Sequence, residues 1–316
     1  MSAGAPEAVL WDALRGALVT RALALAADLR LAHALSDGPR SVEELARDTG
    51  ADADTLHRIL RALASDGIFA ETAPGVFENT VVSALLRTDG WDDFAHLFGG
   101  VWLKALAGLD ASGAPSFPRL HGTGFWEWLA AHPEERAAFD RAMEQGWPDR
   151  LERLDSVGWR GDETVVDVGG GNGSLLLALL ERHPRMRGIV FDLPETVRDE
   201  SAFDDRCTFV GGSFFERFPS GDAFVLSTVL HDWDDASALR ILRVVHAAAP
   251  DGARLVLLES TVEPGNERDG AKWLDLLMLA LFAGRERSEA QWRSLLAEGG
   301  FAPVRIGGGA IEARAA

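Results

Sequence analysis

Apolar residues recur at helical spacing through the first third of the chain and give way to short strand-like runs alternating with helices in the second half. From Val9 to Leu35 the run VLWDALRGALVTRALALAADLRLAHAL is rich in Ala and Leu, with Arg15, Arg21, Asp28 and Arg30 interrupting its apolar face. It predicts one long helix that needs a packing partner. Ser41 and Glu44 have capping-box spacing, and Gly50 is a plausible stop, which predicts a short helix between them. Another follows after Asp52 or Asp54, with Leu56, Ile59, Leu60 and Leu63 on one face. Beyond Gly67 the period changes, and Ile68–Glu71, a turn at Pro74-Gly75, and Val76–Glu78 predict a hairpin.

Helix, helix, hairpin is a winged-helix pattern, which often reads DNA through its second helix, here bearing His57, Arg58 and Arg61. Asp52, Asp54 and Asp66 nearby and a formal net charge of -18 favour packing and dimerisation over a polyanionic partner. Neither nucleic acid nor membrane is expected as a partner. The longest apolar stretches, such as Leu274–Phe282 and Ala223–Leu230, are far shorter than the roughly 20 residues that span a bilayer. No secretory signal pattern opens the sequence, and one cysteine, Cys207, cannot form an intrachain disulfide, so a cytoplasmic protein is expected. At 316 residues the chain exceeds one usual core, and two domains or one domain with a helical annex are expected.

Residues 96–155 alternate Trp/Phe-rich helical stretches with a loop at Gly108–Arg119. Aromatics at helical spacing usually fill a core; they can also wall a pocket for a flat ligand. From Glu163 onward, Thr164–Val168, Gly188–Phe191, Cys207–Val210, Ala223–Leu230 and Arg254–Leu258 have the βαβ rhythm of a mainly parallel, doubly wound sheet. Ala302–Ile306 and Ala310–Arg314 suggest a closing antiparallel edge hairpin.

The first of these strands breaks into glycines, VVDVGGGNG, before a helical run. Such a turn lets a nucleotide-like ligand approach the backbone, although a tight structural turn uses the same residues. The spacing Gly169-x-Gly171-x-Gly173 departs from the dinucleotide fingerprint, which argues against NAD. Asp192 ends the second strand about 20 residues later, where a carboxylate can accept two hydrogen bonds from a ribose diol; it could instead cap a helix beginning near Pro194. The fourth strand leads into His231, at the carboxyl edge of the sheet. A histidine can take a proton from a phenol if transfer is concerted with the attack that follows; an arbitrary histidine more often sits satisfied in a core.

VVDVGGGNG, GIVFDLP, GGSFFERFP, VLHDWDD and GRERS, in this order, resemble the plant caffeate-type and bacterial antibiotic-pathway O-methyltransferases that use S-adenosylmethionine (SAM). The resemblance spans nearly the whole chain. It implies an α/β fold, a Rossmann-like class I methyltransferase sheet at residues 156–316, preceded by a mostly helical, winged-helix-like dimerisation domain at 1–95 and a helical substrate-pocket segment at 96–155. Gly169 and Gly171 would lie along the methionine part of SAM, and Asp192, with Leu193 beside it, would hold the ribose. Ser213 and Phe214 would lie near the adenine, and Ser227 falls where some plant members have a lysine. Ser213 stands where the family often has aspartate. His231 would be the base, oriented by Glu259 and Glu286, whose alternative role is solvated surface charge. Met143, Trp147, Asp232 and Met278 would wall the acceptor, Met and Trp being also routine core fillers.

The expected activity is methyl transfer to a hydroxyl of a small aromatic or polyketide-type acceptor, releasing S-adenosylhomocysteine, by a homodimer with no metal. Relatives with hydroxylase or decarboxylase chemistry, and a winged-helix DNA-binding regulator, are the alternatives.

Overall fold

The computed structural model describes residues 5–88, 90–144, 147–194, 196–197, 205–307 and 309–316, the side chains of 147 and 148 excepted. The chain forms two compact units, Met1–Gly108 with Leu120–Gln145, and Leu109–Arg119 with Gly146–Ala316.

The first unit opens with α1 (Pro6–Asp28) and α2 (Leu31–Ala34). The single helix expected from Val9 to Leu35 is therefore broken. Arg30 takes a left-handed φ of 52°, which turns Leu31, Ala32 and Leu35 into the core at 2% exposure or less. Their burial offsets the roughly 1–2 kcal/mol that a left-handed residue costs. After β1 (Arg40–Ser41), Ser41 Oγ accepts from the Glu44 amide at 3.3 Å while Glu44 accepts from the Ser41 amide at 2.9 Å, and this capping box starts α3 (Val42–Thr49). Asp52 caps α4 (Ala53–Ser65), accepting from the Thr55 amide at 2.8 Å. The expected hairpin is β2 (Phe69–Ala73) and β3 (Val76–Asn79); β1 joins it in the order β1-β3-β2, a two-residue strand too short to show a period. Leu45, Leu56, Leu60, Phe69 and Phe77 fill this core.

A 3-10 turn, Ser83–Arg87, leads to α5 (Trp91–Gly99) and α6 (Val101–Ala107). Next come α7 (Ser116–His121), α8 (Phe125–Ala131) and α9 (Pro133–Glu144). The start of α7 lies inside the stretch expected as loop: a single turn, anchored by fully buried Phe117, is too short to register in the pattern. Phe125, Trp126 and Phe139 pack edge to face with ring centroids 5.5–5.6 Å apart, the core-filling use of these aromatics. His96 joins three helices by facing Asp28 at 2.7 Å and Glu135 at 3.2 Å.

The second unit is a seven-stranded sheet. Its parallel strands are β4 (Thr164–Val168), β5 (Arg187–Asp192), β6 (Cys207–Gly211), β7 (Ala223–Ser227) and β8 (Arg254–Leu258). An antiparallel pair, β9 (Phe301–Arg305) and β10 (Ile311–Ala315), closes it in the order β6-β5-β4-β7-β8-β10-β9. Strand alternation divides the apolar residues between two faces. Val166, Phe224 and Leu255 pack with Ile241 of α12 (Asp235–Ala248) and Trp292 of α14 (Glu289–Glu298). Val165, Val225 and Val256 pack with Leu154 of α10 (Trp147–Asp155) and Leu179 of α11 (Ser174–Arg182). The remaining helix, α13 (Ala271–Phe282), precedes the GRERS segment.

The fourth strand was expected to run to Leu230 and stops at Ser227. Thr228 takes a φ of 52°, and the amides of Val229 and Leu230 go to the Glu259 carboxylate instead of a neighbouring strand. A 3-10 turn, Leu230–Asp232, follows. Among the described residues no helix is long and apolar enough to cross a membrane.

Candidate active site

Strand order reverses between β4 and β7, and side chains and backbone at the carboxyl ends of those strands face the crevice such a switch point opens. Gly169 follows β4 with a φ of 73°, and a Cβ there would lie 2.8 Å from Val229 Cγ2 and 3.6 Å from the Phe214 ring. Glycine is thus required by conformation and by space. A Cβ on Gly171 would meet open space. Asp192, ending β5, turns back to this loop: Oδ2 accepts from the Gly171 amide at 2.9 Å and Oδ1 from the Leu193 amide at 2.7 Å. A helix starting near Pro194 would lie mostly outside the described residues. Ser213 Oγ accepts from the Phe215 amide at 3.3 Å, and the Phe214 ring meets Trp233 edge to face. Ser227 Oγ is buried with no hydrogen-bond partner among the described residues.

His231 is 7% exposed, Glu259 5% and Glu286 4%, so neither glutamate is solvated surface charge. His231 Nδ1 lies 2.7 Å from Glu286 Oε1. Glu259 was expected opposite the ring; its Oε2 is 3.9 Å from Nδ1, and its Oε1 accepts from the amides of Val229 at 3.0 Å and Leu230 at 2.7 Å. Glu259 therefore holds the turn that carries the histidine more closely than it holds the ring. On the other side of the ring, Asp232 Oδ1 is 3.4 Å from Nε2. Met278 is buried in α13, and Met143 lies half-buried in α9. Trp147 begins α10, with its side chain outside the described residues.

Burial by itself disfavours an imidazolium, and Asp232, Glu259 and Glu286 together outweigh it, pushing His231 up from 6.5 to about 10. Asp232 is pushed up to about 7, first by burial, with the neighbouring glutamates adding and His231 opposing. Burial also raises Glu259. Among the described residues Oε2 of each glutamate is buried without a hydrogen-bond partner, so the cluster holds more acceptors than the ring N–H groups of His231 can satisfy.

Beside this site, the buried ionic residues Asp167 and Arg287 went unrecognised in the sequence. Asp167, on β4, is 2% exposed, lies under the glycine turn and is pushed up to about 7 by burial and by Asp192, against the pull of Arg150. An acid inside an otherwise apolar strand run was its signal. Arg287, in GRERS, is fully buried, and its motif neighbours disguised it as surface charge. Among the described residues no group of His, Cys, Asp and Glu is arranged to hold a metal ion.

Residues 103–302 match the O-methyltransferase domain, and residues 11–89 the O-methyltransferase dimerisation domain. The chain belongs to the O-methyltransferase family. It is similar to the phenazine O-methyltransferase PhzM of Lysobacter antibioticus, 37% identical over 316 residues, covering 95% of this chain and 92% of that one. Among solved structures it is similar to LaPhzM, with a TM-score of 0.92 and 36% identity over 98% of this chain and 99% of that chain. It is also similar to NcsB1, an O-methyltransferase from neocarzinostatin biosynthesis seen with S-adenosyl-L-homocysteine and 1,4-dihydroxy-2-naphthoic acid. There the TM-score is 0.83, with 35% identity over 94% and 95% of the two chains.

A histidine raised by its partners stabilises this methyltransferase fully below its ordinary 6.5, and the contribution is lost as pH climbs through about 10. Glu286→Gln removes the negative charge beside Nδ1 and leaves only a neutral amide oxygen to accept from it. The gap in urea midpoint between variant and parent should be widest near the lower of those values and close towards the upper one; a gap constant across the range would show that Glu286 does not hold the proton.

Proposed function

We propose that the enzyme moves the methyl group of SAM to a hydroxyl of a small aromatic or polyketide-type secondary metabolite, with His231 as general base. One observation supports this most: a buried imidazole, just beyond the end of β7, whose Nδ1 is committed to Glu286 at 2.7 Å. That the NcsB1 structures hold SAM or S-adenosylhomocysteine with naphthoic acids supports the donor and the acceptor class.

The crevice residues fit such a donor. Gly171 opens onto free space, Ser227 offers an orphaned buried hydroxyl, and Asp192 ends its strand as a carboxylate. Gly169 and Gly171 would hold the methionine part, Asp192 and Leu193 the ribose, and Ser213 and Phe214 the adenine, with Ser227 adding its hydroxyl. When bound, SAM supplies an electrophilic methyl on a cationic sulfur.

His231 keeps its Nδ1 proton on Glu286, so that Nε2 is the atom left to take the acceptor's hydroxyl proton. Glu259 fixes the turn beneath the ring through two amides. Asp232 and Met278 contact the acceptor. Burial of the cluster keeps water from competing as a nucleophile, and alignment accounts for much of the acceleration. The carboxylates favour imidazolium while a cationic ligand in the same crevice opposes it, so the base form belongs to the loaded enzyme.

We assign residues 1–95 to dimerisation, 96–155 to the acceptor-facing segment and 156–316 to donor binding. In α1, Val9, Leu10, Trp11, Leu14 and Leu18 are 61–71% exposed, an apolar stripe supporting a second copy of the chain as partner. A cytoplasmic setting is part of the same proposal, supported by the single free cysteine.

Incubation with SAM and a panel of phenols should release S-adenosylhomocysteine, and His231→Ala should lower turnover roughly 10²–10⁴-fold while keeping SAM affinity. No S-adenosylhomocysteine with any phenol would remove methyl transfer to this class, and unchanged turnover would remove the base. In the pH profiles, the acid limb of kcat should lie below that of kcat/KM for SAM, because only the latter reports the enzyme without its cationic ligand; coincident limbs would contradict the opposing cation. Leu14→Asp with Leu18→Asp should turn a dimer into a monomer in light scattering, and a persistent dimer would place the interface elsewhere.

A further inference from the structure

The turn that carries His231 leaves the sheet at Thr228, so its backbone groups have no strand to bond with. Two segments take over. From one side Glu259 accepts from the amides of Val229 and Leu230. From the other, residues 284–287 take the carbonyls: the Arg285 amide donates to the His231 carbonyl at 2.8 Å, Arg287 Nη1 to the Leu230 carbonyl at 2.9 Å, and Arg287 Nη2 to the Trp233 carbonyl at 2.8 Å. The segment approaches so closely that a Cβ on Gly284 would collide with the backbone of His231 and Asp232.

Arg287 is fully buried, stacked over the Trp292 ring at 5.1 Å, with Nε donating to Asp235 Oδ1 at 2.9 Å. Its planar fork thus spans the His231-Asp232 pair from both flanks, and one residue before it Glu286 accepts from the ring itself. We propose that Arg287 is a positioning residue for His231: by bridging the carbonyls of Leu230 and Trp233 it keeps Nδ1 on Glu286 and so fixes where Nε2 points. This rests on the base assignment above. Lysine cannot replace it, because a single ammonium lacks the rigid fork that reaches two carbonyls and a carboxylate at once.

The test is Arg287→Lys in the full-length enzyme, read in two ways. The His231 Nδ1 proton, followed by imidazole nitrogen-proton NMR without any ligand, should lose its strong hydrogen-bond shift, and kcat should fall roughly 10- to 100-fold with the acceptor KM nearly kept. A folded Arg287→Lys with both the resonance and kcat unchanged overturns the proposal. Should that variant not fold, Asp235→Ala removes the guanidinium's half-exposed acceptor and leaves the carbonyls in place. A shifted resonance with a drop in kcat of a few-fold supports the proposal, and no change in either overturns it. The ligand-free resonance separates this failure from failure of the base assignment, which His231→Ala reads on its own.

Discussion

A histidine can be aimed only if one of its nitrogens is occupied. The contact between His231 Nδ1 and Glu286 does this here, and the surrounding architecture serves to bring an acid from a late loop onto a ring from the middle of the chain. Left in water, the same pair would be screened and mobile; buried, it has one arrangement. Burial also makes the arrangement demanding, since three carboxylates surround one imidazole and two of their oxygens have no donor among the described residues. Such a cluster is costly as structure and useful as chemistry, because its charge is ready to respond to what enters the crevice.

The sheet sets up this geometry through its order. Strands on either side of β4 and β7 wind in opposite directions, so the loops leaving them diverge and place the glycine turn, Asp192 and His231 along one edge. Non-glycine residues at positive φ occur at Thr228 and Ala283, at the start of the histidine turn and just before the segment that grips it. Both conformations cost energy, and both sit where the chain must leave regular structure to bring the site together.

Much of this was legible in the sequence because the signals were periodic or chemically exclusive. β4 and β8 have the expected limits, and the capping box at Ser41 and Glu44 formed as its spacing predicts. His231, Glu259 and Glu286 come together although 28 and 55 residues separate the glutamates from the histidine. Pattern failed where a tertiary contact overruled it. Arg30 breaks a helix that propensity would continue, because the core takes Leu31 and Leu35; β7 stops early because a distant glutamate claims its amides. Arg287 looks like an ordinary charge among its motif neighbours, and only packing shows it to be interior; Asp167 stood out only as an acid within an apolar strand run.

Glu286 has a second tie. Its amide donates to Asp275 Oδ1 at 2.8 Å, and Asp275 lies three residues before Met278 on α13, hence on nearly the same face of that helix. The residue proposed to touch the acceptor lies on this helix, and the residue proposed to hold the catalytic proton is tied to it by one hydrogen bond. Reshaping the helix to admit a bulkier ring would tug on the acid behind the base, so changes in acceptor choice and in working pH should be inherited together as this scaffold diversifies.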